Sequence, residues 1–472
     1  MEYELVVGLE THIELSTKTK IFCSCSTKFG DAPNTHCCPV CIGLPGTLPR
    51  LNKTVVEYAV KAGISTHCKI SEKSKMDRKN YVYPDLSKAY QISQYDFPLC
   101  YDGFLELSSG RKIRINRIHI EEDAGKLIHD NNDIYIDYNR GGVPLIEIVT
   151  EPDFTGADEV REYLEKLRLI MKYIGISDCK MQEGSMRCDI NISVKKRGTS
   201  EYGTRTEIKN MNSLSMIVKA INAEYKRQIE CIKSGDCIVQ QTLRYNEADD
   251  ITVPMRTKED SDDYRYFREP DLPDIYVSKK EVETLKAEIP ELPDEKIKRY
   301  IEDYCMNEKD ARQIIQYPKI ACYFENMVSE SQCPKLCTNV MLTHIFRYLQ
   351  DDDSKEKCLL NIGSSEIAKV IAMVECGEIP NNFLKQIIDK MLDTGKAFDE
   401  LFDKSDFSQI SFSELEAIID KIILFNQKAV NDYCSGKLKA MASLIGMVMR
   451  ETKGRADAKK VEIMIKEKLL QL

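Results

Sequence analysis

The decapeptide Arg117-Ile-His-Ile-Glu-Glu-Asp-Ala-Gly-Lys126 concentrates side chains suited to acid, metal and phosphate chemistry. Read as a strand, it puts Arg117, His119 and Glu121 on one face and Ile118 and Ile120 on the other, with an acidic turn at Glu122 and Asp123. Three consecutive carboxylates repel one another and need cations or open water. Alone, the stretch reads more readily as a hydrated loop, but other segments repeat its pattern. Residues 4–15 align Glu10, His12 and Glu14 opposite Leu5, Val7, Leu9, Ile13 and Leu15. Residues 133–138 set Asp133, Tyr135 and Asp137 opposite Ile134 and Ile136. In 186–194, Arg187, Asp189, Asn191 and Ser193 oppose Met186, Cys188, Ile190, Ile192 and Val194. In 204–209, Arg205, Glu207 and Lys209 oppose Thr204, Thr206 and Ile208.

Strict alternation predicts an antiparallel sheet with one buried and one wet face. The wet face collects Glu10, His12, Glu121, Asp189 and Glu207, with Arg187 and Lys209 between them. Carboxylates are hard oxygen ligands that suit Mg²⁺, which completes its shell with phosphate oxygens and water. The two cations suit phosphate. The expectation is a concave sheet that binds ATP through Mg²⁺, with Arg187 and Lys209 neutralising the phosphoryl group.

A second constellation is Cys23-Ser-Cys25 followed by Cys37 and Cys38-Pro-Val-Cys41, in a loop rich in Gly, Pro and Asn. Cys23, Cys25, Cys38 and Cys41 match a closed, structural Zn²⁺ site. The first pair has one intervening residue instead of the usual two, and Cys37 or His36 could replace a ligand.

These groups need elements to hold them. With 472 residues there is chain for about three domains. A net charge of −9 excludes binding of nucleic acid by the whole chain, so any such contact must be local. No apolar run approaches a membrane span of roughly 18 residues, and the start lacks a signal-peptide pattern. The 18 cysteines, mostly scattered, read as reduced thiols of a cytoplasmic protein. Helices are expected at 53–65, 156–175 and 210–224. Lys75–Asp85 is dense in cations and tyrosines and fits a wet cavity or a solvated loop. Asn139-Arg-Gly-Gly-Val-Pro-Leu-Ile-Glu147 has paired glycines that permit a close ligand approach or a tight turn. No Walker-type phosphate loop is present.

Pro290-Glu-Leu-Pro293 marks a boundary, beyond which the spacing becomes helical, as in Ile367, Val370, Ile371 and Val374. Ser413 and Glu416 read as a capping box for a helix over 413–425. Residues 431–472 carry nine basic and five acidic residues, a local positive excess. Lys437, Lys439, Lys453 and Arg455 are the candidate nucleic-acid phosphate contacts there. The expected fold is α+β. An antiparallel-sheet cradle domain (1–290) carries the Zn²⁺ loop at 23–41, followed by a helical domain (291–405) and a small helical tail domain (406–472).

With Asp262-Asp-Tyr-Arg-Tyr-Phe-Arg-Glu-Pro-Asp271 the chain resembles the B subunit of the aspartyl/glutamyl-tRNA(Asn/Gln) amidotransferase, the GatB family. The supporting motifs are Gly-Leu-Glu-Thr-His at 8–12, Asp-Arg-Lys-Asn-Tyr at 77–81 and Lys-Ala-Tyr-Gln-Ile-Ser at 88–93. His-Ile-Glu-Glu-Asp-Ala-Gly-Lys at 119–126, Pro-Leu-Ile-Glu-Ile-Val at 144–149 and Glu-Gly-Ser-Met-Arg-Cys-Asp at 183–189 follow in family order. Arg268 departs from the pattern, where Pro is frequent.

The resemblance implies a ligase that phosphorylates the side chain of Glu-tRNA(Gln) or Asp-tRNA(Asn) with ATP and then amidates it with ammonia. Carried over by motif, Glu10, His12, Glu121, Glu122, Asp189 and Glu207 sit at the Mg²⁺ site, and Lys79 with Glu122 marks the entry of ammonia. It also implies a heterotrimer with an amidase subunit (A) and a small subunit (C). The chain lacks the amidase's Gly-rich Ser/Lys signature, and Gly363-Ser-Ser is isolated. Two other classes fit the residues alone. A stand-alone carboxylate-amine ligase would need no basic tail, and a Zn²⁺-stabilised RNA-binding scaffold would need no acidic face.

Overall fold

The alternating strands find their partners in one large sheet. The computed structural model describes the chain except residues 1, 132, 210, 212, 258–263, 404–406, 408–410, 436–438, 453–455 and 470–472. It divides into two compact units, Met1–Pro293 and Asp294–Leu472. The first begins with β1 (Tyr3–Glu14), α1 (Lys53–Ser65), β2 (Lys69–Ile70), β3 (Lys73–Ser74), β4 (Asp77–Asn80) and β5 (Tyr90–Ser93). Then come β6 (Cys100–Glu106), β7 (Lys112–Glu122), β8 (Lys126–Asp130), β9 (Asp133–Asp137), β10 (Pro144–Thr150) and α2 (Ala157–Tyr173). The unit continues through β11 (Met186–Lys196), β12 (Thr206–Lys209), α3 (Leu214–Ser234), β13 (Gln241–Asn246) and β14 (Ile251–Thr257). It closes with β15 (Phe267–Arg268), β16 (Ile275–Tyr276) and α4 (Lys279–Ala287).

Nine strands make the main sheet, in the order β14-β13-β12-β11-β1-β10-β7-β6-β2. Every pairing is antiparallel except β12 with β13. The apolar face, including Leu9, Ile13, Ile118, Ile120, Ile190 and Ile192, is buried in one core with α1, α2 and α3. In α2, Val160, Tyr163, Leu164, Leu167 and Ile170 face that core, and Asp158 and Glu159 in its first turn complement the helix dipole. Helix α3 runs ten residues past the expected Glu224. Ser213 caps its start by accepting from the Met216 amide at 3.1 Å, and Gly235 stops it at φ +84°.

Two expectations change here. Residues 133–138 do form a strand, but β9 pairs only with β8 in a separate hairpin. Ile134 and Tyr135 are both exposed, so Asp133 and Asp137 do not join the acidic face. That face is also not wet at its centre, because the small sheet β15-β4-β5 supplies the groups that cover it. His119 and Glu121 are each only 3 % exposed.

In the second unit every described element is a helix. Ile367, Val370, Ile371 and Val374 lie buried on the helix Ser364–Glu375. The helix Phe412–Phe425 is capped by Ser411 and Glu414, not Ser413 and Glu416. Both pairs have capping-box spacing, but only Ser411 makes the reciprocal bonds, placing Ser413 inside the first turn. The last four helices share a core built on Leu415, Ile419, Leu444, Val448, Val461 and Ile465. No described helix is long and apolar enough to cross a membrane.

Candidate functional site

Strand register decides which polar side chains meet. His12 on β1 lies opposite Arg187 on β11 and Glu147 on β10, and Glu147 lies opposite His119 on β7. Directly opposed residues have neighbouring Cβ atoms, so one cross-sheet row carries Arg187, His12, Glu147 and His119. Glu121, two residues along β7 from His119, leans into the same space. His119 Nε2 lies 3.0 Å from Glu121 Oε1 and 3.2 Å from Glu147 Oε2. His12 Nε2 lies 3.7 Å from Glu121 Oε2 and 3.5 Å from Glu147 Oε2.

Burying two carboxylates side by side is costly unless cations and hydrogen bonds compensate. Burial works against protonation of His119, yet Glu147 and Glu121 lift it to about 9. Burial likewise opposes charge on His12, but Glu147 and then Glu121 hold it above its ordinary value. Glu147 is driven well below the usual carboxylate range, against its burial, by His119 and His12. Glu121 is lowered against burial and the repulsion of Glu147, by His119 and Lys79. It also accepts from Gln91 Nε2 at 3.2 Å and Ser93 Oγ at 2.9 Å.

Among the described residues, His12, Glu121 and Glu147 form one of two groups whose ligand atoms all lie within 4.8 Å of one another. Two carboxylates suit Mg²⁺, which completes its shell with phosphate oxygens and water. The buried His119 Nδ1 has no hydrogen-bond partner, and its Nε2 is turned to the carboxylates. The donor set therefore fits a divalent cation.

The other predicted acids divide differently. Glu10 and Asp189 are directly opposed, as are Glu207 and Asn191, on the same face. They gather around cations and amides: Lys209 Nζ lies 3.1 Å from Asp189 and 3.0 Å from Glu207, and Asn191 donates to Glu10 at 2.8 Å. Burial and the charge of Glu147 raise the Glu10 carboxyl above its ordinary value. Arg187 bonds Asp123 at 2.7 Å. Asp123 is kept ionised, against burial, by Arg187 and Arg140, and Glu14 shares a hydrogen bond with it. Burial first, then Asp123, pushes Glu14 up to about 8.

Glu122 is not on this face. Being adjacent to Glu121 in a strand, it points the other way. It bonds Lys88 Nζ at 2.5 Å and accepts from the Ile92 amide at 2.8 Å. Lys79 instead senses Glu121 and Glu147, with its ammonium 4.8 Å from the Tyr264 ring centre. Lys79 and Glu122 thus have different partners. The Lys75–Asp85 segment is part of the cover over the acidic face, through β4. Of the paired glycines only Gly142 has positive φ (+81°), in a turn closed by the Val143 amide on Arg140 O at 2.9 Å. The turn sits beside Lys20 and Cys41, away from the carboxylate row.

The second group is Cys23, Cys25, Cys38 and Cys41. Cys41 Sγ lies 4.0 Å from Cys25 Sγ and 3.9 Å from Cys38 Sγ. Tetrahedral zinc with bonds of about 2.3 Å sets its sulfurs about 3.8 Å apart, so the cluster has the size of a zinc site. The Cys23 thiol pulls Cys41 down to about 4, while burial first, with Cys38, pushes Cys25 up to about 12. His36 pairs with Asp31 at 3.1 Å, and the Cys37 thiol lies 4.0 Å from the Asn34 and Asn139 oxygens. Of the tail candidates, Lys439 is exposed at the start of the helix Lys439–Glu451, and Lys437, Lys453 and Arg455 lie outside the described residues.

Sequence reasoning missed Glu147. Its strand is apolar on both faces, with Leu145 and Val149 flanking it, so alternation gives no signal there. His119 was legible, since it shares a face with Glu121.

A covered carboxylate–imidazole cluster on a sheet, with a cysteine cluster in one connecting loop, defines an α+β protein with two groups of side chains that could hold a metal ion. Comparison with known families matches residues 5–283 to the GatB/GatE catalytic domain and 322–469 to the GatB domain. The chain belongs to the GatB family. It is 50 % identical over 478 residues to the B subunit of the aspartyl/glutamyl-tRNA(Asn/Gln) amidotransferase of Caldicellulosiruptor saccharolyticus, covering 99 % of each chain. The protein of that name from Thermoanaerobacter pseudethanolicus is 49 % identical, over 99 % of this chain and 100 % of its own. That of Carboxydothermus hydrogenoformans is 46 % identical over the full length of both.

Proposed function

We infer that this chain is the subunit of a tRNA-dependent amidotransferase that activates the side-chain carboxylate of Glu-tRNA(Gln) or Asp-tRNA(Asn) with ATP and amidates it. The observation that carries this reading is the His12–Glu121–Glu147 cluster, found on the acidic face of a GatB-family chain. A free carboxylate is a poor acyl donor, because oxide does not leave. Transfer of the γ-phosphoryl to a carboxylate oxygen gives an acyl phosphate and ADP. The ammonia nitrogen then forms the C–N bond as phosphate departs with the C–O bond electrons, and the proton that ammonia loses passes to the departing phosphate. The amidase partner (A), beside a small subunit (C), supplies the ammonia.

His12, Glu121 and Glu147 would hold Mg²⁺, which when bound supplies charge neutralisation at phosphate oxygens. Lys79, Arg187 and Lys209 add positive charge around that row. The cover over His119 and Glu121 restricts water, which would hydrolyse an acyl phosphate. The cysteine loop holds structural Zn²⁺, and the basic tail with Lys437, Lys439, Lys453 and Arg455 contacts tRNA.

Single-turnover amidation of Glu-tRNA by the reconstituted complex tests this, with ATP, Mg²⁺ and free ammonium to bypass the partner's glutaminase. Glu121→Gln abolishes amidation while tRNA binding persists. Amidation at the wild-type rate overturns the reading.

A further inference from the structure

Two sequence motifs outside the carboxylate row meet beside it. The strands β4, from Asp-Arg-Lys-Asn-Tyr, and β15, from the Tyr-Arg-Tyr-Phe segment, pair with Arg78 opposite Phe267. Asn80 pins the approach: its amide donates to Tyr264 O at 2.9 Å and its side chain to Arg265 O at 2.9 Å. Arg265 is held at φ +44°, a left-handed conformation that a residue with a side chain keeps only when its surroundings impose it.

The result is a tier of tyrosine rings. Tyr266 stacks on Tyr95 with centres 4.3 Å apart and planes within 10°. Tyr264 meets Tyr266 edge-on at 6.0 Å and Tyr81 at 5.9 Å. The tier adjoins the cluster. Gln91 and Ser93 on β5 both bond Glu121, and Tyr95 lies two residues past the end of that strand, its amide donating to Asp77 on β4 at 3.0 Å. Lys79, beside the Tyr264 ring, feels the charge of Glu121 and Glu147. Tyr95 nevertheless remains 61 % exposed. A rigidly backed ring with open surface beside a candidate metal site is what a flat aromatic ligand requires.

We propose that Tyr95, backed by Tyr266 and flanked by Tyr264, is a stacking platform for the adenine base of an adenosine ligand whose reacting end reaches the carboxylate cluster. The proposal rests on the function inferred above, in which two ligands carry that base: ATP, and the 3′-terminal adenosine of the aminoacylated tRNA. Stacking on tyrosine needs only a base's π-face, so either satisfies the same surface.

The test uses the assembled complex with wild-type chain, Tyr95→Leu and Tyr95→Phe, and measures dissociation constants for Mg·ATP and for Glu-tRNA by equilibrium dialysis. Tyr95→Leu weakens one of the two ligands about ten-fold or more, in keeping with the loss of one base–aromatic stack. Tyr95→Phe, which keeps the ring, restores that affinity. A change in the ATP arm assigns the base to ATP, and a change in the tRNA arm assigns it to the terminal adenosine. Unchanged constants in both arms, or equal weakening by Leu and Phe, overturn the platform. Binding is read without catalysis, so a complex that binds through Tyr95 but does not amidate would refute the inferred function and leave the platform standing.

Discussion

Replacing Glu147 by Gln removes one of the two carboxylates that face both imidazoles of the cluster, at 3.5 Å from His12 and 3.2 Å from His119. The variant keeps the volume, so the change is electrostatic. With its carboxylate partners His119 holds a proton up to about pH 9, against an ordinary value of 6.5. At pH 7 the greatest penalty for losing that support is release of the proton, roughly 1.36 kcal/mol for each pH unit between 7 and 9, or about 3 kcal/mol. The sign follows from the direction of the shift. A histidine whose folded-state value is raised contributes fully below about pH 6.5 and loses that contribution as pH rises through about 9. The stability gap between wild type and Glu147→Gln is therefore widest at pH 6.5 and closes toward pH 9. Denaturant unfolding of metal-free protein across that range measures it. Mg²⁺ or Mn²⁺ affinity, read by titration calorimetry, falls at least 10–100-fold, the loss seen even for residues that only support a metal ligand. A gap independent of pH together with unaltered metal affinity would refute the coupling of Glu147 to the imidazoles and its place in the metal site.

Two further outcomes concern other parts of the first unit. Metal analysis gives one Zn²⁺ per chain, and Cys38→Ser or chelation lowers the melting temperature; a metal content far below one equivalent after expression with zinc contradicts the cysteine assignment. Glu14 has a folded-state value near 8 against 4.5, so its contribution is present below pH 4.5 and is lost as pH rises through 8. Glu14→Gln keeps a hydrogen-bond donor for Asp123 without a titrating proton. It flattens the stability profile between those pH values by at most about 1.4 kcal/mol per pH unit, and an unchanged slope in urea titrations counts against the shared proton.

By itself the sequence determined several of the strands and which of their faces is apolar. Period-two alternation in β1, β7 and β11 separated acids from aliphatics, because one face of each strand must enter the apolar core. The cysteine spacing likewise singled out four thiols that do converge. Helix stripes in α1 and α2 were legible for the same reason, since burial imposes its period on the residues. Alternation says nothing about which strands lie side by side. Only the tertiary structure could bring Glu147, isolated in an apolar strand, between His12 and His119, or move β9 out of the main sheet. Only it could give Glu122 to Lys88 instead of to the cluster, and lay the β4–β15 segment over a face that local pattern marks as wet. Those choices depend on register and on contacts between residues distant in the chain, which satisfy charges that no single strand can satisfy alone.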